Sequence, residues 1–222
     1  MIDPILKLTL FKMRTKKALK KLSYTGSVYG IAAEEKMEDA LRDLIQHCRD
    51  EKDEFYWSFA SYARNHTKAD ILEITAIPLE FPYSLASDIA EAQETFPHIH
   101  YVIHSQDEIN NKRPQERLVV LTPLAKPITC PKEYTRIASL LSEQLGVCKH
   151  SKGDFSATFL FTPFLQVCSM PKIVLHDTDR TFLDPDAYLE ENKGVWTNAR
   201  LMQEGAAAQP KLKADETGLF MF

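Results

Sequence analysis

Between Pro97 and Thr129 the sequence reads PHIHYVIHSQDEINNKRPQERLVVLTPLAKPIT, and such a stretch admits few local plans. Apolar and polar residues alternate from Ile99 to His104, the period-2 signature of a strand with two different faces. One face carries His98, His100, Val102 and His104; the other carries Ile99, Tyr101 and Ile103. Ser105 to Pro114 is polar and charged, includes Lys112 and Arg113, and reads as a connection. A second strand follows over Arg117 to Leu121. Pro123, Pro127 and Pro131 then read as the stop of the sheet and the start of a helix, because proline offers no N–H to a ladder but fits a first helical turn. His104 ends one strand and Arg117 opens the next, so the two are expected to face one cleft suited to an anion such as phosphate.

The rest of the chain alternates element types. Pro4 to Lys12 reads as a strand. Met13 to Tyr24 is the most basic segment, with Arg14, Lys16, Lys17, Lys20 and Lys21, and reads either as a solvated face or loop or as an arm contacting nucleic-acid phosphates. Glu34 to Arg49 has the helical stripe Met37, Leu41, Leu44 and Cys48, with acids at its start and Arg49 near its end. Phe55, Trp57, Phe59 and Tyr62 read as core packing, with base stacking as the alternative. Asp70 to Phe81 reads as a buried strand ending near Glu80, with Pro78 marking an edge or a bulge. Tyr83 to Phe96 reads as a helix capped by Ser84, its stripe Leu85, Ile89, Ala92 and Phe96. Pro131 to Leu145 is the best-defined helix, with proline in its first turn and Gly146 at its stop. Cys148 to Phe155 reads as a polar connection, Ala157 to Phe161 and Lys172 to Leu175 as strands, and Asp184-Pro185-Asp186 as the opening of a short helix through Glu191. The order predicts an α+β fold, with helices packed on a mostly antiparallel sheet. A single domain is expected over 1–196, with an N-terminal part to about 66, followed by a linker-like or disordered stretch over 197–222.

Composition narrows the function. A net charge of −4 over 222 residues means that any nucleic-acid contact must come from a local patch. The cysteines at 48, 130, 148 and 168 form no CxxC pair and follow no signal peptide, so a reducing cytoplasm is expected. No apolar run approaches the length of a membrane span. Neither GxGxxG nor GxxxxGK[ST] occurs, which removes the two familiar nucleotide fingerprints.

Three readings of the chemistry stay open at this level. In the first, Glu80, His104 and Arg117 form a phosphate-handling cleft, the carboxylate holding a hydrated divalent ion. In the second, His98, His100 and His104, with Cys148, His150 and Cys168, bind a transition metal. In the third, the charged hairpin is only a solvated surface.

The order of motifs adds a resemblance. WSFASYARNHTKAD, AIPLEFP, YVIHSQ, QERLVVLTPLAKPIT, KEYTRIASLLSEQLGV, FSATFLFTP and FLDPDAYLEE follow one another from Phe55 to Trp196. In that order they resemble the archaeo-eukaryotic primase (primase-polymerase) superfamily, in particular the compact forms found in phage, plasmid and genomic-island replication proteins. The resemblance implies a mostly antiparallel sheet with an RRM-like core and packed helices. It implies Mg²⁺ or Mn²⁺ as cofactor in an active member, and DNA, single-stranded or primer-template, as partner.

The departures from that pattern are as informative. The first motif supplies two aspartates to the metals; here the matching positions are Glu80 and Pro82, and proline has no side-chain donor. The motif histidine matches His104, or Gln106 after a shift. The third acidic position falls on Cys148, with Asp154 nearby, and the arginine of the later strand is replaced around Ala157 or Thr158. Arg117 is kept. Phosphoryl transfer by two metals needs several converging carboxylates. The expectation is therefore a primase-like fold that binds nucleic acid or nucleotide through Arg14, Lys16, Lys17, Lys20, Lys21, Lys112, Arg113 and Arg117, with primer synthesis weakened or lost. The alternatives are a module docking a replication helicase or initiator, or an active enzyme with a site rearranged from Glu80, His104, Asp107, Glu108 and Asp154.

Overall fold

In the computed structural model, residues 2–14, 18–51, 55–64, 67–107, 115–146 and 172–194 are described. They form β1 (Ile5–Arg14), β2 (Ala18–Ser27), α1 (Met37–Glu51), β3 (Phe55–Ser58), β4 (Ala60–Tyr62), β5 (Ile71–Pro82), α2 (Ala86–Thr95), β6 (His100–Asp107), β7 (Gln115–Ile128), α3 (Pro131–Gln144), β8 (Lys172–His176) and α4 (Pro185–Glu191). One sheet runs β2-β1-β3 and the other β4-β5-β7-β6-β8. Every ladder between these strands is antiparallel. The α+β expectation holds, and from β5 to β8 the element types follow the order βαββαβ.

The alternation predicted around Tyr101 sets the layering. Ile99, Tyr101 and Ile103 are buried in a cluster with Leu6, Leu8 and Leu10 of β1 and Met37, Leu41 and Leu44 of α1. Val102 packs on the other side, in a cluster with Ile89 of α2, Ile137 and Leu141 of α3, and Tyr188 of α4. The five-stranded sheet is therefore a two-faced floor, with the small sheet and α1 on one side and α2, α3 and α4 on the other. Trp57, Phe59 and Tyr62 are buried, which settles them as core.

Several boundaries differ from the sequence reading, each for a local reason. Pro123 and Pro127 do not stop the sheet; they lie inside β7. β7 arches away from β5 here: Ala76 is opposite Pro123 and Ile74 opposite Ile128, so the missing N–H groups fall where the ladder is interrupted. Pro78 lies beyond Ile71–Ile74, the part of β5 that β4 covers, so among the described strands it pairs with β7 alone. Ser84 does not cap α2; it lies in a 3-10 turn over Tyr83–Leu85, and α2 begins at Ala86 with no side-chain cap. α1 begins at Met37, with Glu38 and Asp39 rather than Glu34 and Glu35 in its first turn. Ser105–Asp107 extends β6. The basic segment after Met13 is no free arm: β1 runs to Arg14 and β2 starts at Ala18. The predicted strand over Ala157 to Phe161 and the stretch 197–222 lie outside the described residues.

The helix ends obey their local chemistry. Pro131 opens α3, and Gly146 follows it with φ +72°, donating its N–H to the Glu143 carbonyl at 2.9 Å. Asp184 caps α4, accepting the N–H groups of Asp186 at 3.0 Å and Ala187 at 3.3 Å. Asp184→Ala is expected to cost about 1 kcal/mol, measured as a shift of the urea midpoint at constant slope.

Residues 177–183, between β8 and α4, tie distant parts together. Arg180 donates from Nε to the Phe96 carbonyl at 3.0 Å and from Nη2 to the Gln93 carbonyl at 2.8 Å, satisfying the end of α2. Thr181 donates its N–H to Pro97 and accepts that of Ile99, while the Leu183 carbonyl accepts the N–H of Ala125 on the β7 arch.

Candidate functional site

Cross-strand partners in a sheet share a face, so the register decides which predicted site residues can meet. Across β5, β7, β6 and β8 one rung reads Glu80, Val119, Ile103, Ile173. The next reads Phe81, Leu118, His104, Lys172, and the one after it Pro82, Arg117, Ser105. Glu80 and position 117 therefore belong to the face that carries Tyr101 and Ile103. His104 belongs to the opposite face, with Val102, Leu118 and Val120. The single cleft of Glu80, His104 and Arg117 expected from the sequence is not formed: the three lie at one end of the sheet, but the sheet stands between His104 and the other two. Glu80 is half-buried. The side-chain placement of Arg117 lies outside what is described.

Among the described residues the candidate histidines do not converge on a metal site either. A strand rises about 3.3 Å per residue, which sets His104 some 13 Å from His100 along β6. His100 is buried and committed elsewhere. Its Nδ1 donates to the His98 carbonyl at 2.8 Å, and its ring stacks on His176 with centroids 4.9 Å apart and planes 5° from parallel. Cys148, His150 and Cys168 lie outside the described residues. Burial pushes both His98 and His100 down to about 4. His176 is also lowered, first by burial and then by the charge of Arg180. At neutral pH these rings are uncharged parts of the packing between the sheet and α2 and α4, with Phe96 edge-on to both His98 and His100.

The donor set for a divalent ion meets the same geometry. Glu80 shares its rung with three apolar residues, and Pro82 offers no side-chain oxygen. Among the described residues no three His, Cys, Asp or Glu side chains converge on one point. Asp154, the other expected ligand, together with Glu108, Lys112 and Arg113, lies outside them. The residues described do not fit a two-metal centre.

The basic hairpin has a register that sequence spacing does not reveal. Lys12 stands directly opposite Lys20, Phe11 opposite Lys21, and Arg14 opposite Ala18. Lys16 and Lys17 lie outside the described residues.

Sequence reading missed one concave site entirely. A cavity of about 370 Å³ lies where β7 arches off β5, walled by Asp3, Lys7, Glu73, Thr75, Leu124 and Ala125 among others. Lys7 Nζ pairs with Glu73 at 2.6 Å across 66 residues of sequence. The spacing of Pro123 and Pro127 was the available signal, since two prolines in a run that is otherwise strand-like point to a local break in the ladder.

No family model matches the chain, and no curated protein matches its sequence. Among solved structures the chain is similar to the AEP domain (PP-N190) of the cyanophage S-2L primase-polymerase, PrimPol, with 12% sequence identity over 85% of this chain and 88% of that one, at a TM-score of 0.42. No helix among the described residues is long and apolar enough to cross a membrane.

Proposed function

We propose that this chain is a primase-polymerase-like protein of mobile-element DNA replication, one that binds nucleic acid or nucleotide and has weakened or lost primer synthesis. The single observation that carries the reading is the register. Glu80 and position 117 share one face of adjacent strands, the candidate histidine stands on the other face, and among the described residues no three His, Cys, Asp or Glu side chains converge. A cationic position beside one carboxylate suits binding of a phosphate; it does not suit neutralising the charge of phosphoryl transfer, which calls for several carboxylates. The motif order read from the sequence supports the primase-like part, and the antiparallel neighbours β5-β7-β6 with α2 and α3 on one face support an RRM-like core. The opposed Lys12 and Lys20 support the hairpin as the electrostatic contact.

The test is strand synthesis and binding on single-stranded DNA in the same tubes, with Mg²⁺ or Mn²⁺. Binding without synthesis is expected. The affinity should fall steeply with salt, with a slope of about 0.7 per phosphate contact on a log–log plot. Lys20→Ala with Lys21→Ala should weaken binding and flatten that slope, and Arg117→Ala should weaken it further. Primer synthesis that Glu80→Ala abolishes would overturn the loss of chemistry. Binding that ignores salt, or no binding at all, would move the reading to a module that docks a replication protein.

A further inference from the structure

Residues 177–183 are held to the fold mainly by polar ties. Thr181 donates its N–H to the Pro97 carbonyl at 3.1 Å and accepts that of Ile99 at 2.9 Å. Arg180 reaches the Gln93 and Phe96 carbonyls at the end of α2. Within the segment only Leu183 is buried, and Asp179 takes φ +57°, a conformation that L side chains disfavour. Few buried apolar contacts and a disfavoured turn mark a piece that opens by itself while the core stays closed.

A pair of histidine rings sits at its root. His176, the residue before the segment, stacks on His100 with centroids 4.9 Å apart and planes 5° from parallel. His100 is fully buried. A carbonyl only accepts, so the Nδ1 of His100 carries the proton shared with the His98 carbonyl at 2.8 Å. That leaves its Nε2 as a bare lone pair, buried and with no hydrogen-bond partner. A proton arriving there creates a cation whose new N–H has no acceptor, in a site shielded from water. The surroundings oppose that charge further. His176 faces His100 from β8, Arg180 acts on it from the segment and His98 from its own side of the chain. Phe96, at the end of α2, is edge-on to it at 5.1 Å, and Tyr188 of α4 faces His98 instead, at 5.5 Å. Asp177 favours a charge on His176, which Arg180 opposes.

We propose that residues 177–183 are an acid-released strap: a proton from solvent on the stacked pair His100 and His176 lifts the segment off α2 and the start of β6, while the rest of the two sheets stays folded. Release gives both rings water, and it takes Arg180 away from them. Both rings are held below their ordinary range while the strap is closed, so the open state binds more protons and gains as the pH falls below about 6.5. The proposal does not rest on the nucleic-acid reading.

The test is amide exchange of the full chain, read by NMR at pH 7.5 and 5.0 with each rate corrected for its intrinsic value. The shift of His100 alone favours the open state by about 30-fold at pH 5.0. Protection of the Ile99 and Thr181 N–H groups should fall by about that factor, while the β5–β7 ladder keeps its own within about twofold. His100→Leu should reduce the response of Ile99 and Thr181 by about fivefold or more. His176→Phe keeps a ring at a half-buried position, removes its proton site, and should reduce the response in the same direction. Ladder protection at pH 7.5 checks that each variant folds. An equal loss at the β5–β7 ladder would mean global unfolding and would overturn the proposal. Protection at Ile99 and Thr181 that ignores pH, or a response that His176→Phe leaves unchanged, would overturn it as well.

Discussion

Tyr101→Ala is expected to destabilise the chain by about 3–5 kcal/mol, a large part of the roughly 5–15 kcal/mol that holds a typical domain together. Tyr101 lies in β6, fully buried, on the face of the five-stranded sheet that meets β1 and α1. Its hydroxyl reaches across to the Val28 carbonyl at 3.4 Å, on the stretch that follows β2. Truncation removes an aromatic ring from the junction between the two sheets and leaves a void that the surrounding strands cannot close without breaking register. Tyr101→Phe keeps the ring and should cost no more than about 1 kcal/mol. Urea unfolding followed by the fluorescence of buried Trp57 and by far-UV circular dichroism separates the cases. Coincident transitions that shift together would show that the two layers unfold as one unit; a small shift for Tyr101→Ala would mean that they are not mutually supporting.

The second large effect is on acid stability. His98 and His100 are pushed down to about 4 by burial, against about 6.5 when unfolded. Between these values the unfolded chain binds more protons than the folded one, so stability rises with pH in that window. The stabilisation is fully present above about pH 7 and is lost as the pH falls through 6.5 towards 4. For His100 alone the loss is about 2 kcal/mol by pH 5 and about 3 kcal/mol in full. His98 adds less, being only partly buried. Urea midpoints at pH 7.5 and 5.0 measure it. His100→Leu removes the larger of these proton sites without charging the site, and should cut the difference between the two pH values by more than half. An unchanged difference would locate the acid sensitivity elsewhere.

The sequence is legible where one element carries its own signal. The alternation from Ile99 to Ile103 assigns both faces of β6, and Pro131 with Gly146 bounds α3. Asp184 and Pro185 open α4 as their chemistry requires. What stayed hidden depends on two elements at once. His104 and Arg117 sit at neighbouring strand ends in any reading, but whether they share a face depends on the parity of the pairing between β6 and β7, and each strand alone is silent on that parity. The same applies to Lys12 opposite Lys20, and to Lys7 reaching Glu73. Pro123 and Pro127 mislead for the opposite reason: their local meaning is clear, but a strand can carry them where its ladder is already broken. The strands that bear Glu80, His104 and Arg117 are legible in the sequence; the parity that sets Glu80 and His104 on opposite faces is not.

The tie made by residues 177–183 also has a consequence in time. The carbonyls at the end of α2 wait for a guanidinium more than 80 residues downstream, because Arg180 is what satisfies Gln93 and Phe96. A chain leaving the ribosome presents β5, α2, β6, β7 and α3 before that partner exists, and synthesis outpaces no such long-range closure. Until the segment beyond β8 arrives, only water can satisfy those carbonyls, so the last turn of α2 and the start of β6 are expected to take their final form after the far end of the fold has been made.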